Sequence, residues 1–296
     1  MRPRFCILAF LAAGLLLLLP PIYFLKTERR NPSAEPVHVL AKYLKFLYAR
    51  DFKQAYGFIS AEDQKLKTAK IYVRERGPFS GFASEVASKL ADLIRVQPEA
   101  EQIEGDRLRV KLNMKLPDAN SVAPLLLNWD EERLNALTSI ERRKILTALE
   151  TRIRAGNVSM IEGEEEFVLV KERNNWKVFL DWAAGVRVSF DAKVPDFASL
   201  EARPVIKESV TRPNELFTIA FRVKNRSPKD LFARIVHHVE PPAAAQHLDI
   251  VECALLLPIR VLSGEEQEYA TTYLVRGDLP EGTKELNVTY EFKIER

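Results

Sequence analysis

One thiol dominates the chemistry open to this chain. Of its two cysteines, Cys6 falls inside an uncharged apolar stretch, which leaves Cys253 as an unpaired thiol in the body of the protein. Two cysteines so placed exclude a disulfide framework, and a free thiol is unusual in a compartment expected to oxidise thiols. The histidines are His38, His237, His238 and His247. On a strand, adjacent His237 and His238 must face opposite sides, so at most one of them can join Cys253. The plainer reading makes Cys253 a small apolar core residue and the histidines surface or hydrogen-bonded groups. Met114 and Met160 are isolated and read as core. The acidic run Glu162, Glu164, Glu165 and Glu166, beside Gly163, reads as a solvated turn where a strand starts rather than as a cation site.

The motifs of common enzymes are missing. There is no G-x-S-x-G, no His-Glu-x-x-His helix and no phosphate-binding glycine loop in a chain with 11 glycines. No enzymatic activity is expected. The 44 basic and 41 acidic residues nearly cancel and are interspersed, which gives no electrostatic footprint for nucleic acid. Asn157-Val158-Ser159 and Asn287-Val288-Thr289 match glycosylation acceptors and carry no information without a compartment.

The elements that must position Cys253 begin with a candidate anchor. Arg2 and Arg4 precede the uncharged run Phe5–Leu25, 21 residues long, which as a helix would span about 31 Å, enough to cross a bilayer core. Pro20 and Pro21 bend it or end it early. A cleaved signal peptide competes, but the run is longer than such segments and Tyr23-Phe24-Leu25-Lys26 offers no small-x-small site. The short arginine-bearing tail favours a single-pass topology in the inner (cytoplasmic) membrane, N-terminus inside and body outside.

Beyond a Pro/Ser linker, Val37, Leu40, Ala41, Leu44 and Leu47 recur at helical spacing. Asp51 is suited to cap a second helix with Phe52, Ala55, Tyr56 and Ile59. Ser60 and Asp63 form a capping pair for a third. Further helices are expected over Ser84–Arg95 and Asp130–Arg154. Leu108, Val110, Leu112, Met114 and Leu116 alternate with polar residues as in a strand with one wet face. Phe167–Glu172 and Trp176–Trp182 read as a hairpin turning at Asn174-Asn175. Helices followed by a meander describe an α+β layer. Stretches such as YLKFLYARDFKQAYGFIS and NNWKVFLDW resemble the cone-shaped folds of the nuclear-transport-factor and cystatin-like superfamily over residues 35–183. That resemblance implies fold and no activity. A cone can hold a ligand, yet this one has only His38 and no His-Asp pair; a packed spacer or docking domain is the plainer expectation.

From Gly185 onward, short alternating strands are expected at Val186–Val194, Leu216–Val223, Ala233–Val239, Ile250–Leu257, Tyr269–Val275 and Leu286–Ile294. They argue for an antiparallel β-sandwich of the immunoglobulin type. The stretch from Asn225 to Pro280, with its closing VTYEFKI, resembles the periplasmic domain of the CtaG family, membrane-anchored copper chaperones that metallate the CuB site of cytochrome c oxidase. Asn225 and Ser227 fit the family's first turn. Pro241 and Ala244 fit the second element, with His247 at its aromatic position. Cys253 matches the first motif cysteine, Gly264 and Glu265 the turn, and Tyr290 and Phe292 the closing strand.

The family's chemistry uses two thiolates one residue apart, on one face of a strand, to hold soft Cu(I). Here the second position is Leu255. The resemblance therefore implies Cu(I) only if a homodimer brings two Cys253 sulfurs together or if His237, His238 or His247 completes a mixed site. The expected architecture is α+β followed by all-β: residues 1–30 the transmembrane anchor and its flanks, 31–184 an α+β cone-like domain, 185–296 an immunoglobulin-like β-sandwich. The resemblance implies an accessory protein of oxidase assembly, with an oxidase subunit or another membrane complex as partner. A metal-free scaffold and a ligand-binding cone are the alternatives.

Overall fold

The computed structural model describes residues 34–295. The expected anchor, Phe5–Leu25, lies outside the described residues. Among those described, no helix is long and apolar enough to cross a membrane. The chain divides into two compact units: one holds the described residues up to Gln64 with Gly77–Leu180, the other Lys65–Arg76 with the chain from Asp181 onward.

The first unit is an α+β layer. Helix α1 (Ala34–Tyr48) buries Leu40, Tyr43 and Leu44. Asp51 caps α2 (Phe52–Tyr56) by accepting from the Gln54 N–H at 3.1 Å. Ser60 donates to Asp63 at 2.6 Å and its hydroxyl accepts from the Asp63 N–H, which opens α3 (Ala61–Leu66). The next helix, α4 (Ala69–Arg76), belongs to the second unit. α5 (Gly81–Ala91) buries Phe82, Val86 and Leu90. Strands β1 (Arg95–Glu104) and β2 (Arg107–Pro117) follow, then α6 (Ala119–Val122), a 3-10 segment, α7 (Glu131–Ala136), α8 (Ser139–Arg154), β3 (Met160–Glu172) and β4 (Asn175–Phe179). The strands form one antiparallel sheet in sequence order. On β2, Leu108, Val110, Leu112 and Met114 turn into the core, as their alternation predicts.

Several expectations need correction. The helix expected over Ser84–Arg95 ends at Ala91 because Arg95 already starts β1. The helix expected over Asp130–Arg154 is two helices. Leu137 takes an extended backbone, and Thr138 starts α8 with a capping box in which its hydroxyl and the Glu141 carboxylate serve each other's backbone N–H groups. That local capping outweighs continuing the helix. The acidic run is part of strand β3, not a turn. Opposite it stand the cations of β2, and Glu162 pairs with Lys115, Glu164 with Lys111 at 2.7 Å, and Glu166 with Arg109 at 3.1 Å. Cross-strand charge pairing holds these carboxylates in the sheet. Met160 is exposed rather than core, since it opens β3 at the sheet's end.

The second unit is a two-sheet sandwich built from β5 (Val186–Lys193), β6 (Leu200–Pro204), β7 (Glu208–Thr211), β8 (Leu216–Asn225), β9 (Leu231–Glu240), β10 (Leu248–Cys253), β11 (Ile259–Val261), β12 (Glu266–Val275) and β13 (Glu285–Glu295). One sheet runs β10-β12-β8-β6 and the other β11-β9-β13-β5-β7. The sandwich is not wholly antiparallel: β13 pairs with β5 in parallel, Val288 opposite Phe190. The short strands β6, β7 and β11 carry too few alternating residues to read from sequence.

Residues 65–76 complete this unit. Ile71 packs against the sandwich core and Tyr72 lies 5.8 Å from the Trp182 ring. The Lys67 ammonium meets the Glu75 carboxylate at 2.7 Å with both side chains buried, and stands 4.7 Å from the centre of the Trp182 ring. Burial pushes the Lys67 ammonium down, and Glu75 opposes that shift. Arg74 pairs with Glu268 and Arg76 with Glu215.

Candidate functional site

Cys253 ends the edge strand β10, which pairs only with β12. A bulge between Ile250 and Glu252 shifts the register so that Cys253 stands opposite Thr271. Its sulfur lies 3.3 Å from the Thr271 hydroxyl oxygen, half-buried against the sandwich core. The strand stops there, short of the Leu257 expected from sequence. Leu255 sits in the following turn and is 1% exposed, packed into the core. The position of the missing second thiol is thus filled by a core leucine beneath the turn rather than by a strand residue beside Cys253.

Behind Cys253 runs a buried polar seam. Thr271 is fully buried, its hydroxyl beside the Cys253 sulfur. The Tyr273 hydroxyl, from the sheet of β12, meets the Tyr290 hydroxyl, from the sheet of β13. Burial raises the pKa of both phenols, so both stay protonated. Phe221 lies 4.0 Å from the Tyr290 ring, and the His237 ring stands edge-on to it at 4.2 Å. Tyr290 belongs to the recognised closing strand. Thr271 and Tyr273 were not singled out, although their inward alternation with Tyr269 on β12 carries the signal.

The histidines scatter. His237 faces the core and its Nε2 is buried with no hydrogen-bond partner. Burial, and secondarily His238, lowers its pKa, so it is held neutral. His238 faces the other way, its Nε2 2.8 Å from Glu291, as strand alternation requires. His247 follows the turn after β9, its Nδ1 3.0 Å from Asp278. Among the described residues, no group of three or more His, Cys, Asp or Glu side chains gathers as a metal site. Among the described residues, Cys253 is the one thiol and no second thiolate stands at this place, a donor set that does not fit a self-contained Cu(I) site.

The other motif residues shape the loops. Asn225 donates to the carbonyls of Lys229 (2.7 Å) and Val261 (3.0 Å) and accepts from the Ser227 N–H, closing the β8–β9 turn. Gly264 takes φ +73° in the turn before β12, a conformation that favours glycine.

Residues 158–293 match the family model of the cytochrome c oxidase assembly protein CtaG/Cox11. Among known proteins, the chain is 28% identical over 112 residues to the cytochrome c oxidase assembly protein CtaG of Sinorhizobium fredii, covering 36% of this chain and 56% of that one. It is 27% identical to the protein of the same name from Sinorhizobium medicae, with 36% and 57% covered. The chain thus spans little more than half the length of these relatives. A solved Campylobacter jejuni structure described as an NTF2-like transpeptidase is 14% identical, covering 50% of this chain and all of that one, at a TM-score of 0.24; a likeness that low carries no argument about the first unit.

Proposed function

We infer, from a C-terminal domain of the CtaG/Cox11 type, that this chain is a non-enzymatic accessory protein of cytochrome c oxidase assembly that works through protein contacts. The observation that carries the reading is the family match over residues 158–293, a span that takes in the sandwich from Val186 to Lys293, with Cys253 on its edge strand and core-packed Leu255 at the second motif position. The uncharged run Phe5–Leu25 supports attachment to the inner membrane, with the body on its outer side. Copper, in this reading, is cargo that one chain cannot hold alone. Soft Cu(I) selects thiolates, and among the described residues Cys253 is the one cysteine.

A second reading has a specific observation in its favour: Cys253 is half-buried on an edge strand, where a second copy could approach and share one Cu(I) between two sulfurs. Deleting the gene and measuring assembled oxidase in membranes, by oxygen uptake and haem absorbance, tests the assembly role. The expected result is loss of oxidase in the deletion and full recovery with either the wild-type chain or Cys253→Ser. An unchanged oxidase level overturns the reading. Recovery by wild type alone moves the role to shared copper.

A further inference from the structure

The flank of the sandwich that carries Cys253 displays several large apolar side chains. β10 and β11 are the edge strands of opposite sheets and are joined by the short stretch Ala254–Pro258, so both line one side of the unit. Along that side Ile250 and Val251 are about 40% exposed, and Leu256 and Leu257 are 72% and 74% exposed. Two adjacent leucines displayed on a turn are not an accident of a crowded surface, and contiguous apolar area of this kind marks contact sites. Phe232 and Leu262 extend it on the neighbouring β9 and after β11.

Charge narrows the occupant. Asp249 and Glu252 flank Ile250 and Val251, both are exposed, and neither forms an ion pair among the described residues. From Leu248 to Pro258 there is no lysine or arginine. The nearest cation along the chain, Arg260, is tied to Asp230 at 2.6 Å. A second copy of this surface would set carboxylates against carboxylates, and an anionic lipid surface would be repelled. The bulge beside Val251 also breaks the edge ladder, so side chains rather than added strand pairing must do the recognising.

We propose that this flank docks an apolar segment of a partner protein carrying lysine or arginine beside its apolar residues, and so brings that partner against Cys253. The proposal rests on the accessory reading for its biological setting and on the surface alone for its chemistry. The test places a photoreactive amino acid at Leu257 of the full-length chain in its own membrane and identifies the crosslinked segment by mass spectrometry. Because these side chains are exposed, the variants are expected to keep the wild-type melting curve. The expected adduct is an apolar segment with flanking Lys or Arg. Its yield should fall about tenfold or more in Leu256→Asp, the cost of losing one apolar anchor. It should fall likewise in Glu252→Arg and return when the partner's basic residue is changed to Glu. Adducts to lipid, to a second copy of this chain, or none above the dark control overturn the proposal, as does a yield indifferent to Glu252→Arg. The outcome is separable from the assembly role: an oxidase unaffected by deletion removes that role and leaves the crosslink to be read by itself.

Discussion

The Tyr273 and Tyr290 hydroxyls meet in the middle of the sandwich, one from each sheet, with the buried Thr271 close by on β12. They join the sheets directly behind Thr271 and Cys253. Removing one phenol hydroxyl takes a buried hydrogen-bond partner from the other, whereas removing both leaves neither phenol oxygen unpaired. Tyr273→Phe should cost about 1–2 kcal/mol in urea unfolding. The double variant with Tyr290→Phe should cost less than the sum of the singles. Strict additivity would show that the two hydroxyls do not couple.

The buried Lys67–Glu75 pair closes the segment 65–76 on itself, with the Lys67 ammonium over the Trp182 ring of the same unit. Replacing one partner strands a buried charge, so Lys67→Met should cost about 3–5 kcal/mol, and Lys67→Met with Glu75→Leu should regain most of that. Chemical denaturation of the three proteins checks it; a double variant as weak as the single would contradict it.

Leu255 and Cys253 should differ sharply as thiol positions. Leu255→Cys loses buried volume and should destabilise by about 2 kcal/mol. Its thiol, 1% exposed in the native leucine, should react with a disulfide reagent far more slowly than Cys253. Equal rates would mean that the turn after β10 opens readily.

His237 is half-buried, its Nε2 enclosed and its pKa lowered by burial. The unfolded chain then binds more protons than the folded one as pH falls below about 6.5, so this residue's contribution to stability is lost on acidification through that range. Comparing His237→Phe with wild type at pH 7.5 and pH 5 isolates it from the carboxylates: the variant should lose less stability. Equal losses would refute a neutral His237.

Much of this fold is legible in the sequence alone. Alternation on β2, β8, β12 and β13 is strong because each strand has one buried face, and the turn at Asn225 and Ser227 is legible through the family resemblance. The failures share a cause. Glu162–Glu166 looked like a turn because the partners that hold it in a strand, Lys111 and Lys115, lie far away in sequence. Residues 65–76 could not be assigned to the sandwich because their contacts, Trp182, Glu215 and Glu268, are more than a hundred residues distant. At the candidate site, Cys253 was evident and its neighbours were not: the strand end that separates it from Leu255 depends on a bulge set by pairing with β12.

Residues 158–293 match the CtaG/Cox11 family model, and the reading proposed for this chain is that it does not hold copper alone. It is tested most directly by anaerobic Cu(I) titration of the detergent-solubilised full-length protein against a bidentate competitor, beside Cys253→Ser, with mass measured throughout. The account predicts no copper retained above the serine variant. Tight binding of one copper per two chains, lost with Cys253→Ser, would contradict it and establish a site shared across a dimer.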